Sequence, residues 1–286
     1  MAKIIGFIDA SVYAKSVCDH AAWLAKRMSA SVDIFHVLGR RDVSAAATDD
    51  FTGTLDANGR DSLLAELAAL DEQKAKLAQK RGRLILDQAV QCLKQAGVGQ
   101  VTAKLRLGDL IEAVEEFETI ADVLVFGKRG EAADFAKLHL GSNLERVVRA
   151  SKKPILVASR AFKPIKRVLI AYDGGPSVSR AINYLCASHE LFAGLEMYVL
   201  HVGQQTDETT NLTGNIAERL RAAGYTAHSG VQPGQPDKVI ASKVEAEKID
   251  LLVMGAYGHS RIRSLIIGST TTEMVRSCLI PVVLFR

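Results

Sequence analysis

The residues with the most legible chemistry stand near the C-terminus, where an apolar run leads into Gly255-Ala256-Tyr257-Gly258 and nine residues later Gly268-Ser269-Thr270-Thr271 opens a helix-like stretch. Glycine reaches positive φ and lets a ligand approach the main chain closely, so consecutive free N–H groups there form an anion-binding concavity. Ser269 and Thr270 fall where a helix N-terminus points unpaired N–H groups and its positive dipole end at an anion, with hydroxyls as further donors. A phosphorylated ligand suits such a loop. Arg261 and Arg263 lie inside it, either neutralising phosphate or simply solvated. Any one of these glycines alone would merely turn the chain. Their spacing, the hydroxyls and Asp173, which closes an apolar run earlier in the same half, together point to a ligand.

The elements that must position these residues occur twice. Ile4 to Asp9 is an apolar run ending in an acid, and Val168-Leu169-Ile170-Ala171-Tyr172-Asp173 repeats it. Helix-like segments follow, near residues 12–28 and 177–191, and then strands that end in His36-Val37 and His201-Val202. Asp122-Val123-Leu124-Val125-Phe126-Gly127 matches Asp250-Leu251-Leu252-Val253-Met254-Gly255, and Pro154-Ile155-Leu156-Val157 matches Pro281-Val282-Val283-Leu284. Each proline sits where a strand can begin without losing a ladder hydrogen bond. Short, wholly apolar strands separated by helices indicate a parallel sheet covered on both faces. The expected fold is therefore α/β, with two tandem doubly wound, Rossmann-like domains of about five mostly parallel strands each, at residues 1–160 and 166–286.

The halves differ after the His-Val pair. The first inserts a polar stretch at residues 40–60, read as a mobile loop, and then a long helical segment near residues 61–96, whereas the second crosses over through a brief helix near residues 211–223. In the long segment Leu63, Leu67, Leu70, Leu77 and Leu84 recur at helical spacing. The plainer reading of that row is a core-facing stripe, and the alternative is a coiled-coil surface for a partner. His36 and His201 read as hydrogen-bonded structural residues.

Composition sets the outer limits. The 286 residues, 48% hydrophobic, with 22 glycines and 6 prolines, exceed one ordinary core and fit a two-domain globular chain. A net charge of +4 from 36 basic and 32 acidic residues spread along the chain argues against a nucleic-acid partner. Cys18, Cys92, Cys186 and Cys278 form no CxxC pair and read as small apolar residues. With no signal-like leader and no run long enough for a bilayer, the expected location is the cytoplasm, without a membrane partner.

The spacing Gly, two residues, Gly, nine residues, Gly-Ser resembles the ATP-binding signature of nucleotide-binding universal stress proteins, and the resemblance covers nearly the whole chain. It implies that Asp173 holds the ribose hydroxyls, that Val202 offers its backbone to adenine, and that Gly255, Gly258, Gly268, Ser269, Thr270 and Thr271 cradle the phosphates. The first half offers Asp9, Val37, Gly127, Gly130, Gly141, Ser142 and Asn143 at matching places. It departs in having ten residues between Gly130 and Gly141, and Lys128-Arg129 in place of Ala256-Tyr257. The ligand so implied is ATP, with AMP and ADP as alternatives and Mg2+ as an accompanying ion.

No GxxxxGK[ST], GxSxG, HExxH or first-strand GxGxxG is present, and no pyrophosphate loop follows the first strand. A nucleotide-dependent sensor or regulator in a stress response is thus the leading expectation, with slow hydrolysis or autophosphorylation as the most it would catalyse. An interaction scaffold with vestigial sites is the second reading, and an enzyme of nucleotide α-phosphate chemistry the third. Universal stress domains pair through their last strands. The resemblance therefore implies an internal pseudo-dimer in which Leu156-Val157 meets Val283-Leu284, with room for a further homodimer.

Overall fold

The computed structural model describes residues 2–39, 57–130, 142–188, 192–257 and 268–286. Each apolar run ending in an acid becomes the central strand of its half. The first half contains β1 (Lys3–Ile8), α1 (Ala14–Met28), β2 (Ser31–Leu38), α2 (Ala57–Gln95), β3 (Val101–Leu107), α3 (Leu110–Phe117), β4 (Val123–Gly127), α4 (Ser142–Ala150) and β5 (Ile155–Ala158). The second contains β6 (Arg167–Tyr172), α5 (Pro176–Ala187), β7 (Glu196–Val202), α6 (Asp207–Ala222), β8 (Thr226–Gln232), α7 (Pro236–Ala246), β9 (Leu251–Gly255), α8 (Ser269–Ser277) and β10 (Val282–Phe285).

The two sets of five strands join edge to edge in a single ten-stranded sheet of order β3-β2-β1-β4-β5-β10-β9-β6-β7-β8. Strands within each half are parallel, and β5 and β10 meet antiparallel, with Val282 opposite Val157, Val283 opposite Leu156 and Leu284 opposite Ile155. Pairing these two strands removes the edge that each half would otherwise leave open.

Period-two alternation divides the apolar residues between two faces. Ile4, Ile34, Val125, Leu156, Ile170, Val199, Val253 and Val283 face one layer, which α1, the C-terminal part of α2, α5 and α6 cover. Ile5, Phe7, Leu124, Ile155, Leu169, Leu252 and Leu284 face the other, under α3, α4, α7 and α8. Both layers run through both halves.

The repeated acids and prolines hold the strand starts. The Asp122 carboxylate accepts the Lys3 amide at 2.7 Å, and that of Asp250 accepts the amides of Lys166 at 2.8 Å and Arg167 at 3.0 Å. The Pro154 and Pro281 carbonyls accept from Leu124 and Leu252, both at 3.0 Å, so each proline joins the ladder through its carbonyl. The bridge between the halves is packed as well: Ser16 Oγ donates to the Ser159 carbonyl at 2.7 Å, and Phe162 stands edge-on to His20.

Two expectations need correction. The second-half crossover helix α6 begins at Asp207, one turn before residue 211, because Thr206 and Thr209 close a reciprocal capping box. In α2 the leucine row does not face the core: Leu70, Leu77 and Leu84 are 50%, 68% and 56% exposed. The buried contacts of this 39-residue helix come from Gly82, Leu86, Ala89 and Leu93 instead. The helix is simply longer than the sheet face it covers. Residues 57–60, assigned by sequence to the polar stretch, already belong to it, while residues 40–56 lie outside the described residues. The four cysteines are free; Cys18 and Cys278 are buried and Cys92 and Cys186 half-buried.

Candidate functional site

In each half the chain leaves the central strand toward one side of the sheet and later returns on the other, so a switch point lies between β1 and β4 and another between β6 and β9. Ligands of open α/β sheets bind outside the carboxyl ends of the strands at such points. In the second half Ala171 pairs with Met254, which sets Asp173, just past the end of β6, close to Gly255 at the end of β9. Tyr172 pairs with His201, so that Val202 stands level with Asp173. The same register, Ile8 opposite His36, sets Val37 level with Asp9.

Local hydrogen bonds fix these residues in the same way in both halves. Asp173 Oδ1 accepts the Gly175 amide at 2.8 Å, and Asp9 Oδ1 accepts the Ser11 amide at 3.0 Å. At Gly174 the chain takes φ +79, a turn that only glycine adopts without strain. Asp173 therefore shapes the turn ahead of α5, whose N-cap is Gly175 with no side-chain cap. The histidines behave as their position suggests. His201 Nδ1 lies 3.0 Å from the Tyr172 carbonyl, and His36 Nδ1 lies 2.8 Å from that of Ile8. A carbonyl only accepts, so Nδ1 carries the proton in each ring. Each histidine thereby anchors the residue immediately before the acid.

The glycines divide into two roles. A Cβ on Gly255 would lie 3.0 Å from Ser177 Cβ and 3.3 Å from the Val178 nitrogen, and one on Gly127 would lie 2.8 Å from Tyr13 Cβ. These two positions let the start of the helix that leaves the neighbouring central strand, α5 beside Gly255 and α1 beside Gly127, pack on the strand end. Gly268 is the N-cap of α8, and its amide donates to the Ala256 carbonyl at 3.1 Å. Its N-cap glycine brings no capping side chain to α8, and no acid stands in the helix's first turn. Ser269 is exposed and Thr270 half-exposed. Thr271 is buried, and its hydroxyl donates to the Gly255 carbonyl at 2.9 Å, tying α8 to the end of β9. Gly258, Arg261 and Arg263 lie outside the described residues.

In the first half Gly130 comes close to the acid, since a Cβ on it would lie 3.1 Å from Asp9 Oδ2. Ser142 opens α4 and Asn143 is exposed, but Glu145 stands in that helix's first turn. Gly141 lies outside the described residues. The two halves thus present different charges to an anion.

Two loop residues turn away from the strand ends toward the opposite half. Lys128 is buried and its ammonium donates to the Cys278 carbonyl at 2.6 Å. Burial lowers its pKa to about 8. The Tyr257 hydroxyl lies 3.5 Å from the Val148 carbonyl, and the Arg286 guanidinium sits 5.7 Å from the centre of the tyrosine ring. Sequence spacing gave no sign of the Lys128 and Tyr257 hydrogen bonds, which span 150 and 109 residues. Among the described residues no group of three or more His, Cys, Asp or Glu side chains could hold a metal ion, and no helix is long and apolar enough to cross a membrane.

The profile of the universal stress protein family matches residues 1–159 and 203–286. The chain is similar to a universal stress protein of Synechocystis sp., 35% identical over 288 residues that span 100% of both chains. A universal stress protein of Mycolicibacterium smegmatis is 22% identical over 299 residues, covering 98% of this chain and 95% of its own. The fold resembles the crystal structure of a universal stress protein from Archaeoglobus fulgidus, with a TM-score of 0.71 at 22% identity, over 99% of this chain and 98% of that one.

Proposed function

The chain belongs to the universal stress protein family, and from that premise we propose that it binds ATP, or AMP or ADP, in its second half and acts as a nucleotide-dependent sensor or regulator in a stress response. The observation that carries this reading is the convergence of Asp173, Val202 and the uncapped first turn of α8 on one switch point. Asp173 takes the ribose hydroxyls, the Val202 backbone meets adenine, and the amides of Ser269, Thr270 and Thr271 receive phosphate oxygens.

The residues present fit such a ligand. A helix start without a capping side chain or an acid leaves amides and dipole available to an anion, and the Ser269 hydroxyl adds an exposed donor. Gly258 and Gly268 complete the cradle in this proposal, while Gly255 and the Thr271 hydroxyl support it from below. Mg2+ would arrive with the phosphates. The corresponding first-half set, Asp9, Val37, Gly127, Gly130, Gly141, Ser142 and Asn143, forms a weaker second site, since the Glu145 carboxylate opposes an anion at the start of α4. Binding fits better than efficient turnover, because the sequence offers none of GxxxxGK[ST], GxSxG or HExxH. We place the domain limits at residues 1–160 and 166–286 and read the β5–β10 contact as the seam of an internal pseudo-dimer in the cytoplasm.

Isothermal titration with ATP tests the assignment. The wild-type protein should show saturable binding. Asp173→Asn, which keeps an Oδ1 acceptor for Gly175 but removes the charge, should weaken it about tenfold or more. No saturable uptake by the wild type, or unchanged affinity in the variant, would overturn the reading.

A further inference from the structure

The longest helix carries a surface that the nucleotide site does not use. In α2, none of the described side chains from Leu63 to Arg81 is buried, a stretch of roughly 28 Å at the usual rise. The buried residues that follow, Gly82, Leu86, Ala89 and Leu93, alternate steps of four and three, as a helix lying on a globular body requires. The leucine row keeps a different period. Leu63, Leu70, Leu77 and Leu84 recur every seven residues, and the last three are at least half exposed. On the helix surface that row sits about a quarter turn or more from the packing face. A strict seven-residue repeat drifts about 20° per heptad on a straight helix and stays in register only against another helix wound around it.

The charges say which helix. Residues 61–72 include Glu66, Asp71 and Glu72 and no basic residue, whereas residues 73–86 include Lys74, Lys76, Lys80, Arg81 and Arg83 and no acidic one. Glu72 and Lys76 pair within the helix at 2.6 Å while both stay more than 60% exposed. Two such helices side by side in parallel would set acid on acid and base on base. Crossed antiparallel near residue 73, they set the acidic part of each over the basic part of the other. Leu70 then lies beside Leu77 of the second copy, and Leu63 beside its Leu84.

We propose that α2 is a self-association surface through which two copies of this chain pair as an antiparallel, left-handed coiled coil. Leucines at every seventh position supply the apolar seam, and the reversal of charge at residue 73 sets the direction. The inference stands apart from the nucleotide reading, since the two use no residue in common.

Sedimentation equilibrium on the full chain provides the test. The wild type should sediment as a dimer of the 30.9 kDa chain. Leu70→Glu/Leu77→Glu should raise the dimer dissociation constant about a hundredfold or more, with the far-UV circular dichroism of the monomer retained. Two exposed-charge variants guard against misfolding of the leucine variant. Glu66→Lys/Asp71→Lys/Glu72→Lys and Lys74→Glu/Lys76→Glu/Lys80→Glu should each be monomeric alone, and a one-to-one mixture should form the heterodimer. A wild type that stays monomeric up to roughly 100 µM, a dimer that survives both glutamates, or charge variants that pair with themselves as tightly as the wild type would overturn the proposal.

Discussion

Asp173 and Asp9 show how far single residues can be read without coordinates. An acid closing an apolar run has few places to go, and both carboxylates fold back on an amide two residues on. The histidines were equally legible, because a polar ring at the end of a buried strand needs a backbone partner and finds one. Lys128 was not legible. In sequence it is one more basic residue in a loop; in the fold it is buried against the Cys278 carbonyl, 150 positions away. Its protonation should register in stability. The folded protein holds this ammonium only up to about pH 8, whereas the unfolded chain keeps its proton to 10.5. Between those values the unfolded state binds more protons, so the lysine's contribution to stability rises with pH across that window and is least favourable below it. Urea titrations of wild type and Lys128→Met from pH 7.5 to 10.5 should show the wild type gaining relative to the variant as pH increases. A constant difference would mean that the amine is not desolvated.

Among the elements, apolar runs and their repetition were sufficient to locate four strands in each half, because a strand covered on both faces has almost no freedom in composition; the edge strands β3 and β8 carry no such run. Helix α6 started early because its capping box uses Thr209 where the familiar pattern has Glu or Gln. The α2 row was misread through its period: seven and 3.6 agree over two turns and diverge only over a helix this long. Gly127 and Gly255 were assigned by spacing to a ligand loop, and their strand-end contacts add a packing demand that spacing does not reveal. Gly127→Ala should destabilise the protein by about 1–3 kcal/mol, because its new methyl group meets the Tyr13 Cβ near the main chain and helix α1 must shift. Gly230→Ala, with no atom within 4 Å of the added carbon, should be neutral or slightly stabilising. Urea midpoints separate the two, and an equal response at both positions would contradict the packing role.

At the scale of the whole molecule, the antiparallel β5–β10 pair sets the strands of one half against those of the other. The carboxyl ends of β1 and β4 therefore lie on the opposite edge of the sheet from those of β6 and β9, and the two candidate sites face away from each other. Both hydrophobic layers continue across the seam from one half to the other. The repeat made this arrangement readable as two halves, and the expected meeting of Leu156-Val157 with Val283-Leu284 came from the family resemblance and not from a local pattern. The proposed function turns on main-chain amides at the start of α8 receiving phosphate oxygens. Calorimetric titration of the wild-type protein with ATP and, separately, with adenosine addresses it most directly. ATP should bind saturably and more tightly than adenosine by tenfold or more, about 1.4 kcal/mol; equal affinity for the two would refute the phosphate assignment.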